Sequence, residues 1–427
     1  MIHQTSKPYA FFKGYVKIIH RLFYRRVYIS GLENIPVGDP IIFGPNHQNA
    51  LMDPLAVLLT TPLQPVFLAR ADIFRSAINR PVLRFLKILP VYRVRDGIKS
   101  LGNNDSTFNE SIGVLEANKQ LALFPEARHH GQNFLLPLKK GIPRIALLAE
   151  EKNNFKLNLK IVPVGIHYSD YYGFNADLWV NFGKSIDVDG FREEFNSNPQ
   201  KAHITLRDKI AEGIKPLILD IKDTEHYDEI VLLLNLHDDT QSIKNSRNYL
   251  TKAQAFVKHI TKVKPEIKTE LFNAAQDLHS KLKQAKLHAE DLSIANRINL
   301  AVMTELLIGL PLFLAGFLPT GLFRLPAWFL YRNLKDRQFE SSYKFIFMLI
   351  GAPVSYALFA FLIMPFFLLS NTWISFAVFI ALFPLGSYSL RYIRIFKQSW
   401  QNLANGGKRN ALKKDIDTLK EMLKKHL

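Results

Sequence analysis

The sequence predicts an α/β layer fold in its first half and a membrane-attached helical second half. Three observations carry that reading. Between about residues 31 and 190, short apolar runs bounded by turn residues alternate with longer helical patterns. Near the end lies an uncharged run of 46 residues, Phe345–Leu390. The 427 residues also carry a net charge of +18, so the partner surface is expected to be anionic. Nucleic acid and acidic phospholipid both fit that charge, and the clustering of apolar residues favours the bilayer. With 48% hydrophobic and 22% charged residues, wholesale disorder is excluded. The absence of cysteine excludes disulfide scaffolds, thiolate zinc sites, iron–sulfur clusters and a cysteine nucleophile.

Residues 1–30 read as an amphipathic helix at a membrane interface. Phe11, Phe12, Tyr15, Ile18, Ile19, Leu22 and Phe23 recur at helical spacing, Lys13, Lys17 and Arg21 lie to the side, and no acidic residue precedes Glu33. An amphipathic helix packed on its own domain fits the same pattern. No secretory signal is expected, because there is no uninterrupted apolar stretch with a small-residue cleavage site. Residues 31–195 form the α/β domain, with strands expected near 40–44, 66–69, 120–124 and 159–165 and a helix near 142–150. Residues 196–300 read as a polar, lysine-rich helical region with Ile230–Leu236 as its apolar stripe.

Residues 301–390 supply the membrane segments. One helix of 46 residues would reach about 69 Å, more than twice the hydrocarbon core. The run therefore divides at Ser370-Asn371-Thr372 into a transmembrane hairpin of 345–369 and 373–390. The earlier run Leu306–Phe323 contains Pro311 and Pro319 and ends at Arg324. It is expected to be re-entrant or interfacial, with Leu325–Tyr331 as its returning arm. Arg324, Arg332, Lys335, Arg337 and Lys344 precede the hairpin, and ten basic residues follow Leu390. The positive-inside rule then puts both ends of the hairpin in the cytoplasm. Residues 391–427 read as a basic cytoplasmic tail, a solvated helix near the membrane surface.

The chemistry-bearing stretch is Gly44-Pro45-Asn46-His47-Gln48-Asn49-Ala50-Leu51-Met52-Asp53-Pro54. A strand ending at Pro45 leaves His47 in the loop beyond its tip, where α/β sheets place ligands. Asp53 before Pro54 reads as the N-cap of a helix. Its carboxylate can accept from one ring nitrogen of His47 and leave the other free to remove a proton. A histidine near an aspartate is more often structural, so the pair alone is a weak signal. No nucleophilic serine or cysteine motif accompanies it, so the proton must come from a substrate hydroxyl.

A second motif, Leu121-Ala122-Leu123-Phe124-Pro125-Glu126-Ala127-Arg128-His129-His130, is a strand running into a turn. Glu126 could orient a polyol hydroxyl, and Arg128 could grip a phosphate through its planar fork. The bland alternative is an exposed salt-bridge loop. Further cations lie at Arg93 and Arg95 after an apolar segment, and at Lys140 before a helix.

Together these stretches resemble the glycerolipid acyltransferase family, whose members acylate glycerol-3-phosphate or lysophosphatidic acid. Asn46-His47 to Asp53, Pro90 to Arg95, Phe124 to Arg128 and Ile161-Val162-Pro163-Val164-Gly165 follow the order of the family's four motifs over about residues 28–190. The resemblance implies a mixed sheet flanked by helices. It makes His47 the general base and Asp53 its orienter. Glu126 and Arg128 become acceptor-binding residues, Arg93 or Arg95 a phosphate ligand, and Pro163 part of the acyl-side wall. Two features depart from the pattern. The H-x5-D spacing is one residue longer than the common form, a variant associated with a fungal-like and bacterial branch acting on glycerol-3-phosphate. Ala127 stands where the family has glycine, and the following Ser/Thr is absent, which leaves the loop shape and acceptor choice open.

The expected reaction is direct acyl transfer from acyl-CoA or acyl carrier protein to a glycerol-phosphate acceptor at an anionic membrane, with no metal or cofactor. The expected site is the cytoplasmic face of a bacterial inner membrane or of the endoplasmic reticulum. Three alternatives stay open: a lysophospholipid acyltransferase or transacylase with another acceptor, a metal-dependent hydrolase using His47, Asp53, His129 and His130, and a non-enzymatic membrane scaffold or nucleic-acid binder.

Overall fold

The computed structural model describes residues 2–4, 6–92, 103–237, 246–287, 292, 300–334, 336–368 and 372–426. Contacts divide the chain into two units. Met1–Tyr172, Ala176–Ile218 and Lys335–Ser342 form the first; Gly173–Asn175, Leu219–Leu334 and Tyr343–Leu427 form the second.

In the first unit, β1 (Arg26–Ser30), β2 (Ile41–Pro45), β3 (Val66–Arg70), β4 (Ile88–Val91), β5 (Gln120–Ala122), β6 (Lys160–Tyr168) and β7 (Asp177–Phe182) form one sheet. Their order is β1-β7-β6-β2-β5-β3-β4, and the short β8 (Ile186–Asp187) pairs with β6. β6, β2, β5, β3 and β4 are mutually parallel. β7 runs antiparallel to β6, which makes the sheet mixed. Parallel strands covered on both faces read as continuous apolar runs, and β6 is buried from Ile161 through Tyr168. At Gly165 an added Cβ would lie 2.4 Å from the Leu217 carbonyl oxygen, so only glycine fits there.

The helices of this unit are α1 (Lys7–Phe23), α2 (Met52–Thr60), α3 (Asn79–Phe85), α4 (Asn103–Glu116), α5 (Gly141–Lys152), α6 (Arg192–Ser197) and α7 (Pro199–Ile214). Ile42, Leu121 and Ile161 of the sheet share one core with Ile112 and Leu115 of α4, Ile142 and Ile145 of α5, and Leu206 and Ile210 of α7. None is more than 5% exposed, and each such burial stabilises the fold by roughly 1.5–3 kcal/mol. The layer therefore runs past the expected boundary at residue 195. Ala202, Leu206, Ile210 and Ile214 form an i, i+4 stripe inside a helix that otherwise looks polar. At the other end, α1 opens at a Ser6 cap that accepts from Tyr9 N at 3.3 Å. It buries Val16, Ile19 and Phe23 and leaves Phe11, Ile18 and Leu22 exposed, an apolar stripe on a second face. Residues 26–30, expected in the helical segment, pair with β7 instead.

The second unit is helical: α8 (Tyr227–Leu236), α9 (Tyr249–Ile260), α10 (Pro265–Ala285), α11 (Leu300–Tyr331), α12 (Glu340–Leu368), α13 (Thr372–Ala404), α14 (Gly406–Ala411) and α15 (Lys413–His426). Ile230, Leu232, Leu233 and Leu236 of α8 are buried, as the sequence stripe predicts. The tail is not a freely solvated helix. Leu419 and Leu423 of α15 are buried, and Lys281 of α10 reaches Asp415 at 2.9 Å. Two leucines spaced four residues apart among the lysines give the helix the apolar stripe it buries. α11 continues through 325–331 instead of turning back, despite Pro311, Pro319 and Pro326 within it. It packs on α13 at small residues: a Cβ at Gly316 would lie 1.9 Å from the Leu385 carbonyl oxygen. Met303–Gly321 and Arg337–Phe359 are long and apolar enough to cross a membrane. α13 extends past Leu390 to Ala404, and Arg391 there pairs with Glu305 at 2.9 Å. The expected hairpin turn at 370–372 lies largely outside the described residues.

Candidate active site

The loop after β2 is fixed before any ligand is considered. Asn46 donates its amide to Ile166 O at 3.0 Å and accepts from Ile166 N at 2.7 Å, which ties the loop to β6. The chain then turns through Ala50, with φ 34°, into α2. That helix starts at Met52 with Leu51 as cap, so Asp53 sits in the first turn and is not the N-cap expected from Asp-Pro. Its carboxylate is fully buried and still serves the upstream loop. Oδ2 accepts from Gln48 N and Asn49 N, both at 2.7 Å, and lies 2.8 Å from His47 Nδ1. Oδ1 accepts from the Tyr168 hydroxyl at 2.6 Å. Burial, and then the adjacent Asp53 charge, raise the Tyr168 hydroxyl well above the ordinary tyrosine value, so it stays a donor. Three donors besides the imidazole thus hold the carboxylate in place.

His47 stacks on Phe124, with ring centroids 4.3 Å apart and planes inclined by 29°. The bond at Nδ1 fixes the ring orientation. Nε2 is left without a protein partner among the described residues, which is the state a proton acceptor needs.

Glu126 is nearly fully buried, and its two oxygens bridge loops. Oε1 accepts from His47 N at 2.6 Å and Oε2 from Leu136 N at 2.9 Å. The carboxylate read from the sequence as a hydroxyl ligand therefore ties the 126 turn to the His47 backbone. Ala127 adopts φ 57°, a left-handed conformation that favours glycine and strains an alanine. Arg128 is exposed with no acidic partner among the described residues, so its guanidinium is available to an anion. Lys140 is half-buried at the start of α5, and Lys139 N donates to Pro125 O at 2.7 Å, joining that helix to the same turn.

Pro163 is buried in β6 opposite Gly44, and Gly213 of α7 packs against its ring, so it belongs to the sheet–helix core. Arg93 and Arg95 lie outside the described residues. β4 nevertheless ends at Val91 beside β3, so the strand leading to them opens on the same edge of the sheet as His47. An open groove at that edge is lined by Arg75, Arg80, Arg84 and Tyr92.

Sequence reasoning missed Tyr168, which sits 115 residues beyond Asp53 and carries no local signal. It weighed His129 only as a metal ligand. That ring lies edge-on to His47 at 5.3 Å, and burial, followed by the His47 charge, lowers its affinity for a proton. Among the described residues no group of three or more His, Cys, Asp or Glu could hold a metal ion.

Residues 26–167 match the Acyltransferase family model. Over 114 residues the chain is 32% identical to glycerol-3-phosphate O-acyltransferase 1 of Saccharomyces cerevisiae. Over 132 residues it is 26% identical to glycerol-3-phosphate O-acyltransferase 2 of the same yeast. Those matches cover 26% and 31% of this chain but only 15% and 17% of the yeast enzymes. The crystal structure of the 1-acyl-sn-glycerophosphate (LPA) acyltransferase PlsC from Thermotoga maritima aligns at a TM-score of 0.35 and 20% identity, over 49% of this chain and 79% of that one.

Proposed function

We propose that the chain, whose residues 26–167 match the Acyltransferase family model, transfers a fatty acyl group from a thioester donor to glycerol-3-phosphate. The observation that carries the reading is the His47–Asp53 pair, fixed at one nitrogen and open at the other, at the edge of the sheet. His47 Nε2 takes the proton of an acceptor hydroxyl as its oxygen attacks the thioester carbonyl of acyl-CoA or acyl carrier protein. The tetrahedral intermediate expels the thiolate, which leaves with the proton from His47, so an ester and a thiol are the products. General-base catalysis gives about 10²–10⁴-fold, and positioning of the two substrates supplies the rest. Asp53 orients the ring. Arg128, with Arg93 or Arg95 and Lys140, binds the acceptor phosphate. The apolar helices and the exposed stripe of α1 keep the acyl chain at an anionic membrane, on the cytoplasmic side where the donor is made.

Glycerol-3-phosphate is preferred over lysophosphatidic acid because both yeast relatives are glycerol-3-phosphate O-acyltransferases. The test is a parallel assay of the purified protein with each acceptor and with acyl-CoA or acyl carrier protein as donor. Ester formation on glycerol-3-phosphate is expected. Turnover of lysophosphatidic acid alone would reassign the acceptor, and transfer to neither would remove the reading.

A further inference from the structure

Residues 336–342 lie some 290 positions from His47 in sequence, yet they belong to the first unit and touch three loops around the base. Ser341 and Ser342 are 1% and 4% exposed. The Ser341 hydroxyl donates to Asn49 Oδ1 at 2.6 Å, and Ser342 Oγ accepts from Leu51 N at 3.2 Å. Both contacts fall within four residues of His47. Asn49 in turn donates to Tyr171 O at 3.0 Å, and the Arg337 guanidinium lies 4.6 Å over the Tyr172 ring. On the other wall, the Phe339 ring meets His129 edge-on at 5.1 Å, and Asp336 lies 3.8 Å from His129 Nε2. Gln338, with its amide turned to suit its neighbours, donates to His129 Nε2 at 2.9 Å and accepts from Gly131 N at 3.1 Å.

One short segment thus grips the His47 loop, the 126–130 turn and the 171–172 loop. A buried hydroxyl-to-amide bond and a backbone amide satisfied by a distant serine are specific arrangements, because a buried polar group left unpaired is destabilising. His129 is clamped between this segment and His47, so the segment also sets how closely the second imidazole approaches the base.

We propose that residues 336–342 form a fourth wall of the His47 site, with Ser341 and Ser342 as positioning residues that hold the base loop in its working geometry. The proposal rests on the acyl-transfer reading. It adds a dependence that the four sequence motifs do not contain: the site is incomplete without the start of α12, the helix that continues into the apolar run from Phe345.

The test uses the full-length chain and acyl transfer to glycerol-3-phosphate, normalised to folded protein, with His47→Ala alongside. Ser341→Ala should lower kcat about 10-fold, since small misplacement of a base loop has effects of that order. Amide exchange at residues 48–51 should quicken while β6 stays protected. In the double variant with Asn49→Ala, the Ser341 substitution should add little further loss, because both changes break the same bond. A buried serine that only fills space would give additive losses and unchanged exchange at 48–51. Wild-type kcat in Ser341→Ala with an inactive His47→Ala would overturn this proposal and leave the catalytic reading standing. Activity retained in His47→Ala would overturn the reading itself.

Discussion

Two alanines with positive φ, Ala50 at 34° and Ala127 at 57°, bracket the site, each in a loop that meets His47 or its backbone. A left-handed alanine costs roughly 1–2 kcal/mol against a relaxed one, and glycine removes that cost while adding freedom in the unfolded chain. Ala127→Gly is therefore expected to change stability by less than about 1 kcal/mol, measured by thermal unfolding. A loss of several degrees in Tm would mean that the methyl makes contacts outweighing its strain. At this scale the sequence was informative where chemistry is local. His47, Asp53 and Arg128 could be named because a loop histidine, a carboxylate six positions on and a cation in a turn are recognisable types. Glu126 could be named but not assigned, since nothing in Phe-Pro-Glu says which amides its oxygens will find. Tyr168 and Ser341 were invisible, because their partners are 115 and 292 positions away.

The elements show the same division. Strands β2, β3, β5 and β6 were legible as apolar runs between turn residues, and α5 as a helical pattern. β1 and β7 were not: Arg26–Ser30 and Asp177–Phe182 mix charged and apolar residues and become strands by pairing with each other and with β6. α7 and α15 hide apolar stripes among charges, so composition misplaced both. β6 also carries a pH dependence. His167 is fully buried on it, and burial lowers its value to about 4; His20 of α1 is likewise lowered by burial, to about 3. Below the unfolded value of about 6.5 the unfolded chain takes up protons that these folded imidazoles refuse, so stability falls with pH from there toward about 4. Above 6.5 both states are neutral and the dependence disappears. His167→Gln should reduce the slope of stability against pH between 6 and 4.5 by up to about 1.4 kcal/mol per pH unit, read by denaturant unfolding. An unchanged slope would show that His167 is protonated in the folded protein.

At the scale of the whole chain, topology is constrained by one contact. α10 precedes the three long helices and α15 follows them, yet Lys281 and Asp415 are 2.9 Å apart within the second unit. If these helices cross a bilayer, that contact requires both ends on one side and an even number of crossings among α11, α12 and α13. The uncharged stretch 345–390, shared between α12 and α13, suits that count. We propose that α11, with Glu305, Arg324 and three prolines, is then the one that does not cross, although its Met303–Gly321 stretch is long and apolar enough to. The cysteine-free chain makes this directly measurable. Single cysteines at positions 335 and 413 should label only after the cytoplasmic face is opened, and one at 371 from outside. Opposite accessibility of 335 and 413 would break the pairing of α10 with α15 or the count of crossings.

The central claim is that His47, held by Asp53, is the base of an acyl transfer. Its most direct test is single-turnover acyl transfer to glycerol-3-phosphate by His47→Ala, compared with wild type at equal amounts of folded protein. A fall of at least about 10²-fold is expected, the lower end of what a general base contributes, with Tm little changed. Turnover within a few-fold of wild type would contradict it.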